Sequence, residues 1–322
     1  MSGTELVPLF LAALQVSVPT FSWVVLGVVL HRAGLLSDRL ISGVSRLAFN
    51  VGLPLMLFAG AAQVDYSALG SARYLLAGAL ATLLTLLLSW LYSRGRGHPR
   101  RQQGIFVQAA FRSNLAIVGV ALAVSAYGER GTVVAALPVA LLTALYNVLA
   151  VWVLDATLGS GTAPRRLLLG ILRNPLIIGI AAGVLLALSP LPQPAALPSL
   201  GRGLSLFFLP VMLLCIGGSM KLSQLRSAGT ITWEATAWRL CVAPLLSVLL
   251  ALALGVRDEQ LGVLFLLLSS PVAASSFVMV VAARGDGVLA ANIVLLTTLL
   301  SAVTVTLGFF LLSLFSLAGT LA

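Results

Sequence analysis

Carboxylates are scarce in this chain: its 322 residues include nine Asp and Glu, against nineteen Lys and Arg. Charged residues of both signs make up 9%, far below the roughly 25% of a soluble domain, so a water-facing globular fold is excluded. Histidine is nearly absent, and the two present, His31 and His98, fall in basic connecting segments. No HExxH, GxSxG or GxxxxGK[ST] pattern occurs, which removes the zinc-hydrolase, serine-hydrolase and P-loop readings. Ser269 and Ser270 have no buried histidine to act as their base. The chain is therefore expected not to be an enzyme and to need no cofactor or metal. Cys215 and Cys241 both fall in apolar stretches and look like neither a disulfide nor a metal site.

What is abundant is apolar length. Hydrophobic residues reach 60%, with mean hydropathy +1.09. Runs of about 20 residues, enough to cross a bilayer, follow one another end to end. Ten are expected, at approximately 6–30, 40–61, 73–93, 103–127, 132–154, 166–189, 204–222, 230–254, 259–283 and 288–315. The start, Met1-Ser2-Gly3-Thr4-Glu5, lacks a basic signal-peptide region, so the first span is expected to be retained.

The net charge of +10 follows membrane topology rather than nucleic acid. One set of connections holds Arg32, Arg39, Arg94, Arg96, Arg100, Arg101, Arg165, Arg166, Lys221, Arg226 and Arg284; the opposite set has Arg73, Arg130, Arg202 and Arg257. Cytoplasmic loops collect Lys and Arg, so the richer set is expected inside and both termini outside.

A phrase near one end returns near the other. Leu53-Pro54-Leu55-Met56-Leu57 reappears as Leu209-Pro210-Val211-Met212-Leu213, 156 residues later. Pro19 and Pro175 share that offset, as do Gly131 and Gly287, each just past a Gly-acidic pair. Two copies of one unit are expected, residues 1–160 and 161–322, each with five spans. An odd-numbered unit used twice inserts the second time upside down, so the repeat is inverted, as in many carriers.

Prolines and polar residues mark where these helices should break. A proline frees the carbonyl four residues earlier, and in hydrocarbon that carbonyl needs a new partner. Pro54 would free Asn50, whose amide side chain could help fill the gap, and Pro210 is its counterpart; packing kinks are the plainer alternative. The fourth span holds Phe111-Arg112-Ser113-Asn114 and the ninth Ser269-Ser270-Pro271, which the offset sets opposite each other, Asn114 against Ser270. Each lies roughly 18 Å into its span, near the middle of a core about 30 Å thick. Helices 4 and 9 are expected to be broken and to meet there, exposing half-helix N-termini that suit an anion. The competing reading is that these Ser and Asn side chains only bond neighbouring helices.

Four arginines fall within spans: Arg46, Arg112, Arg173 and Arg239. A central arginine costs about 3 kcal/mol to insert, less if it snorkels. Arg46 is shallow enough to snorkel, whereas Arg112 adjoins the break and suits a carboxylate with its planar fork. Of the acids only Glu234 enters a span, so proton or sodium coupling through a buried carboxylate has little support; sodium held by carbonyls and hydroxyls stays open.

The LPxML segments, the FRSN run ahead of Gly119, Asn174-Pro175, Ser269-Ser270-Pro271 and Thr297-Thr298-Leu299-Leu300-Ser301 together resemble the auxin efflux carrier family over nearly the whole chain. The resemblance implies an all-α membrane protein of ten spans in an inverted five-plus-five repeat. It also implies a scaffold of spans 1, 2, 6 and 7, and a transport domain of spans 3–5 and 8–10 in which 4 and 9 cross. The bile-acid sodium symporters share that architecture, and bacterial members of the family export malate, malonate or related carboxylates. One departure is local: many relatives carry proline soon after the span-four asparagine, where this chain has Gly119-Val120-Ala121.

The expected function is a secondary-active or potential-driven carrier exporting small organic anions by alternating access. A proton- or sodium-coupled symporter is the alternative, and a channel or receptor the rival class. A channel would need a continuous polar stripe, and a receptor a soluble domain. The expected substrate-binding residues are Arg112, Ser113, Asn114, Ser269, Ser270, Pro271, Asn50, Pro54 and Pro210. The expected partners are the organic anion, the lipid bilayer, a coupling ion and a homodimer mate. The expected setting is the bacterial inner (plasma) membrane.

Overall fold

The computed structural model describes residues 3–63, 71–159, 172–190, 192–220 and 228–319. Four of the basic residues used above, Arg165, Arg166, Lys221 and Arg226, lie outside them. Among the described residues the secondary structure is helical, apart from one isolated antiparallel bridge. Helix formation follows from composition: where no water reaches, a backbone that satisfies its own hydrogen bonds is the accessible solution.

The elements are α1 (Gly3–Arg32), α2 (Asp38–Ala62), α3 (Ser71–Gly95), α4 (Arg100–Phe111), α5 (Val120–Leu158), α6 (Pro175–Leu188), α7 (Leu197–Gly218), α8 (Thr230–Ala253), α9 (Asp258–Ser269), α10 (Ala274–Ala282) and α11 (Gly287–Leu314). Among the described residues, seven helices are long and apolar enough to cross a membrane. This differs from ten uniform spans for three local reasons. The fourth and fifth expected spans run together through α5, which turns at Gly128 with φ 59° and ψ −142°, a conformation open to glycine. The ninth is split into α9 and α10. The sixth is described only from the end of its N-terminal turn, where the Asn174 side chain accepts the Leu176 N–H at 2.9 Å and Pro175 opens α6.

Pro54 and Pro210 do not unwind their helices. A wide turn at Ala48–Gly52, closed by the Leu53 N–H on the Ala48 carbonyl, takes up the missing donor ahead of Pro54. The Asn50 amide does not fill that gap: its Nδ2 donates to the Arg46 carbonyl at 2.8 Å. Pro210 lies inside an uninterrupted α7.

Two helix groupings stand out, joined to each other where α1 packs on α11 and α5, and α2 on α5. In one, α1 lies along α7 and α2 along α6, and glycines bring the backbones together. A Cβ on Gly27 would meet the Leu214 backbone, its carbon at 2.9 Å, and one on Gly183 would meet the Phe58 carbonyl. Small residues permit such approach where lipid gives no hydrophobic drive for helix association. In the other group α3 packs on α8 and α4, and α5 packs on α4 and α9. Large apolar side chains such as Val25, Leu185 and Leu206 stay more than half exposed, the expected state of lipid-facing positions.

Polar contacts gather at the helix ends. Glu234 of α8 accepts from Arg96 Nη2 at 2.9 Å, and its second oxygen lies 2.7 Å from His98 Nε2. His98 is buried rather than free in a loop, and its other ring nitrogen is 3.0 Å from the Ser93 hydroxyl. The cluster ties the α3–α4 connection to α8. The exposed Arg96 contact contributes little, but the His98 contact is buried, so Glu234→Gln is expected to cost about 1.5–3 kcal/mol and to leave transport intact. Thermal unfolding in detergent beside a flux assay checks both.

Candidate functional site

The chain unwinds twice, and the two unwound segments find each other. Arg112–Asn114 follows α4 and Ser270–Ala273 follows α9, both extended, with Ser113 opposite Val272 in the antiparallel bridge. The Asn114 N–H donates to the Pro271 carbonyl at 2.8 Å and the Ala273 N–H to the Arg112 carbonyl at 3.3 Å. The Val272 N–H donates to Thr297 Oγ1 of α11 at 3.2 Å, and the Gly119 N–H to the Asn114 carbonyl at 2.9 Å. Pro271 has no N–H to satisfy. Each segment therefore answers the other's freed backbone groups, as buried polar groups require. This is how the first break forms without a proline after Asn114: Leu115–Gly119 makes one wide turn, and Gly119 admits Leu267, whose Cα would lie 3.1 Å from a Cβ there.

The crossing borders a cavity of about 530 Å³ between the two helix groups. Arg112, Ser113 and Asn114 line it from the first break, and Ala273, Ala274 and Ser275 from the second. Ser45, Arg46 and Phe49 of α2, with Asn174 and Met212, close the opposite wall. None of the lining residues is acidic, while two are arginines.

Arg112 is buried, and among the described residues no carboxylate pairs with it. Its Nη1 donates to the Tyr146 carbonyl at 3.1 Å, and its Nη2 to Asn147 Oδ1 at 3.0 Å and Ser275 Oγ at 3.2 Å; its Nε has no partner. Neutral oxygens thus hold the guanidinium in place and leave its charge uncompensated. Ser113 Oγ lies 3.0 Å from the Tyr146 hydroxyl. The Asn114 side chain makes no hydrogen bond among the described residues and faces the cavity. The N-terminus of α10 opens on the same space, and its first N–H groups carry the positive end of the helix dipole.

The other expected site residues sit elsewhere. Ser269 and Ser270 are buried behind the crossing, Ser270 Oγ donating to the Leu267 carbonyl at 2.8 Å, and neither lines the cavity. Pro271 takes part through its carbonyl alone. Asn50, Pro54 and Pro210 are not in the lining; Asn50 is exposed and Pro54 packs against Gly179. Arg46, expected only to snorkel, is exposed but borders the cavity, and Arg173 is exposed in the turn before Asn174. The expected pairing of Asn114 with Ser270 is not made: with Ser113 opposite Val272 in an antiparallel bridge, the Asn114 N–H meets the Pro271 carbonyl.

Sequence reasoning missed the α5 wall. Thr143, Tyr146 and Asn147 stand at i, i+3 and i+4, one polar face on an otherwise apolar helix, and that spacing was the available signal.

Residues 13–158 and 162–308 match the family described as membrane transport protein. An uncharacterized transporter of Methanothermobacter thermautotrophicus is 23% identical over 300 residues, 93% of this chain and 98% of that protein. Family and relative alike point to transport rather than catalysis. With its apolar spanning helices and its match along almost the entire length, the chain belongs to the auxin efflux carrier family of multi-pass membrane transport proteins.

Proposed function

We propose that this transporter carries small organic anions, carboxylates in the class of malonate and malate, by alternating access at the crossing. The observation that carries the reading is Arg112: a buried guanidinium, fixed by neutral partners and, among the described residues, unpaired with any acid and edging a cavity lined by no carboxylate. A planar fork beside a half-helix N-terminus and the free Asn114 amide suits one carboxylate. With no acid in the lining to take up a proton, the membrane potential is the simplest drive. It favours export of one negative charge by about 2.3 kcal/mol per 100 mV.

The architecture that goes with this is ten crossings in two inverted units, 1–160 and 161–322. The fourth crossing is α4 plus the chain to Gly128, the fifth the rest of α5, and the ninth α9 plus α10. Support comes from a contact made twice at the offset of the repeat. Gly27 meets Leu214 and Gly183 meets Phe58, and both residues of the second contact are those of the first shifted by 156. The α1, α2, α6 and α7 group would be the scaffold and the remainder the moving transport domain, with the cavity between them.

Labelled malonate, malate and lactate offered to proteoliposomes, with and without an imposed potential, proton or sodium gradient, test the reading. Saturable carboxylate flux that follows the potential is expected; flux no greater than in protein-free vesicles would overturn it. For orientation in the bacterial inner membrane, a reporter fused after Ala322 is expected to report the outside. Cytoplasmic activity at that end would break the ten-crossing count.

A further inference from the structure

The last carbonyls of a helix have no N–H of their own to meet, and they form the negative end of its dipole. Two such ends, those of α4 and α9, are buried side by side at the crossing. In carriers with interrupted helices, C-terminal ends of this kind are where a coupling cation is held.

Here the position is already filled. A wide turn at Trp238–Val242 in α8 carries Arg239, whose side chain is among the largest fully buried in the protein. Its Nη1 donates to the Ala110 carbonyl of α4 at 3.1 Å, and its Nη2 donates to the Leu268 carbonyl of α9. Among the described residues no carboxylate pairs with it. A buried cation without an acid needs negative charge from another source, and two converging half-helix ends supply it. Arg112, the residue that caps α4, lies just beyond the same break and lines the cavity. One arginine is thus taken up by the protein's own carbonyls, and the other is left for a ligand.

We propose that Arg239 is a tethered substitute for a coupling cation: a positioning residue that holds the two broken helices together and removes the need for sodium at the crossing. Guanidinium stays charged at any physiological pH, so this position also releases no proton during a transport cycle. The inference rests on reading the crossing as the transport core, but not on the identity of the substrate.

The test compares wild type, Arg239→Ala, Arg239→Met and Arg239→Lys by thermal unfolding and by labelled malonate uptake. Each is measured in choline, sodium, methylguanidinium and tetramethylammonium at matched millimolar concentrations. Wild type is expected to melt and transport alike in choline and sodium. Arg239→Ala should lose roughly 100-fold in uptake, the scale of losing charge-assisted hydrogen bonds at both helix ends. Methylguanidinium should restore at least about tenfold of that and raise its melting temperature, while tetramethylammonium should do neither. Arg239→Lys should melt above Arg239→Met. Sodium-dependent wild type, an Arg239→Ala indifferent to every cation, or equal melting of the Lys and Met variants would each overturn the proposal. Should Arg239→Ala fail to fold, the wild-type sodium comparison and the Lys–Met pair still decide. Absence of malonate uptake in wild type would count against the carboxylate reading alone, and the melting data would still settle Arg239.

Discussion

Arg112→Ala is expected to abolish carboxylate transport while leaving folded protein in the membrane. Its protein partners are the neutral Tyr146 carbonyl, Asn147 and Ser275, and removing the guanidinium leaves no buried countercharge stranded. What is lost is the contact to the anion. A charge-assisted hydrogen bond contributes about 1.5–3 kcal/mol, roughly 10- to 150-fold in affinity. Arg112→Lys separates two forms of the idea, since an ammonium keeps the charge but cannot present two parallel N–H groups. If the fork matters, lysine should transport little better than alanine. Asn114→Ala should cost about tenfold at most, because a neutral hydrogen bond is the weaker contact. Arg46→Ala should cost less still, its guanidinium being exposed to water at the cavity wall. Uptake normalised to membrane expression is the measurement.

The second large effect concerns folding, and it changes sign between positions. Gly27→Ala and Gly183→Ala each drive a methyl group into a neighbouring helix backbone, at Leu214 and Phe58. Backbone cannot step aside as a flexible side chain does, and overpacking costs about 1–3 kcal/mol even where side chains alone must give. Gly43 of α2 has nothing within 4 Å of an added Cβ, so Gly43→Ala should stabilise its helix by up to about 1 kcal/mol. Yield of monodisperse protein and melting temperature in detergent compare the three. Equal behaviour of Gly27→Ala and Gly43→Ala would remove the close contact from the account.

Much of this site was legible in the chain, and the failures have physical causes. Polar or proline-bearing interruptions in the middle of apolar runs are intolerable in lipid unless something covers them. Arg112–Asn114 and Ser270–Pro271 could therefore be marked as breaks without coordinates. The register between them could not. A fixed offset of 156 relates the two glycine contacts, but which residues of two antiparallel segments meet is set by where each chain unwinds, and no single residue announces that. Pro54 and Pro210 misled because a wide turn or a continuous helix absorbs a proline as readily as an unwound one. Arg239 was equally opaque: its partners are carbonyls of residues 129 and 29 positions away, and backbone oxygens leave no trace in composition.

The cavity as the carboxylate site is tested most directly by substrate protection. Cys215 is buried and Cys241 exposed, so both are first replaced by alanine, and Thr143→Cys then places a single thiol in the lining. Alkylation of that thiol is timed with and without malonate in the purified protein. Malonate is expected to slow the reaction in a saturable way, and to lose that effect once Arg112→Ala is added. Alkylation at one unchanged rate, whatever the malonate concentration, would place the substrate outside this cavity.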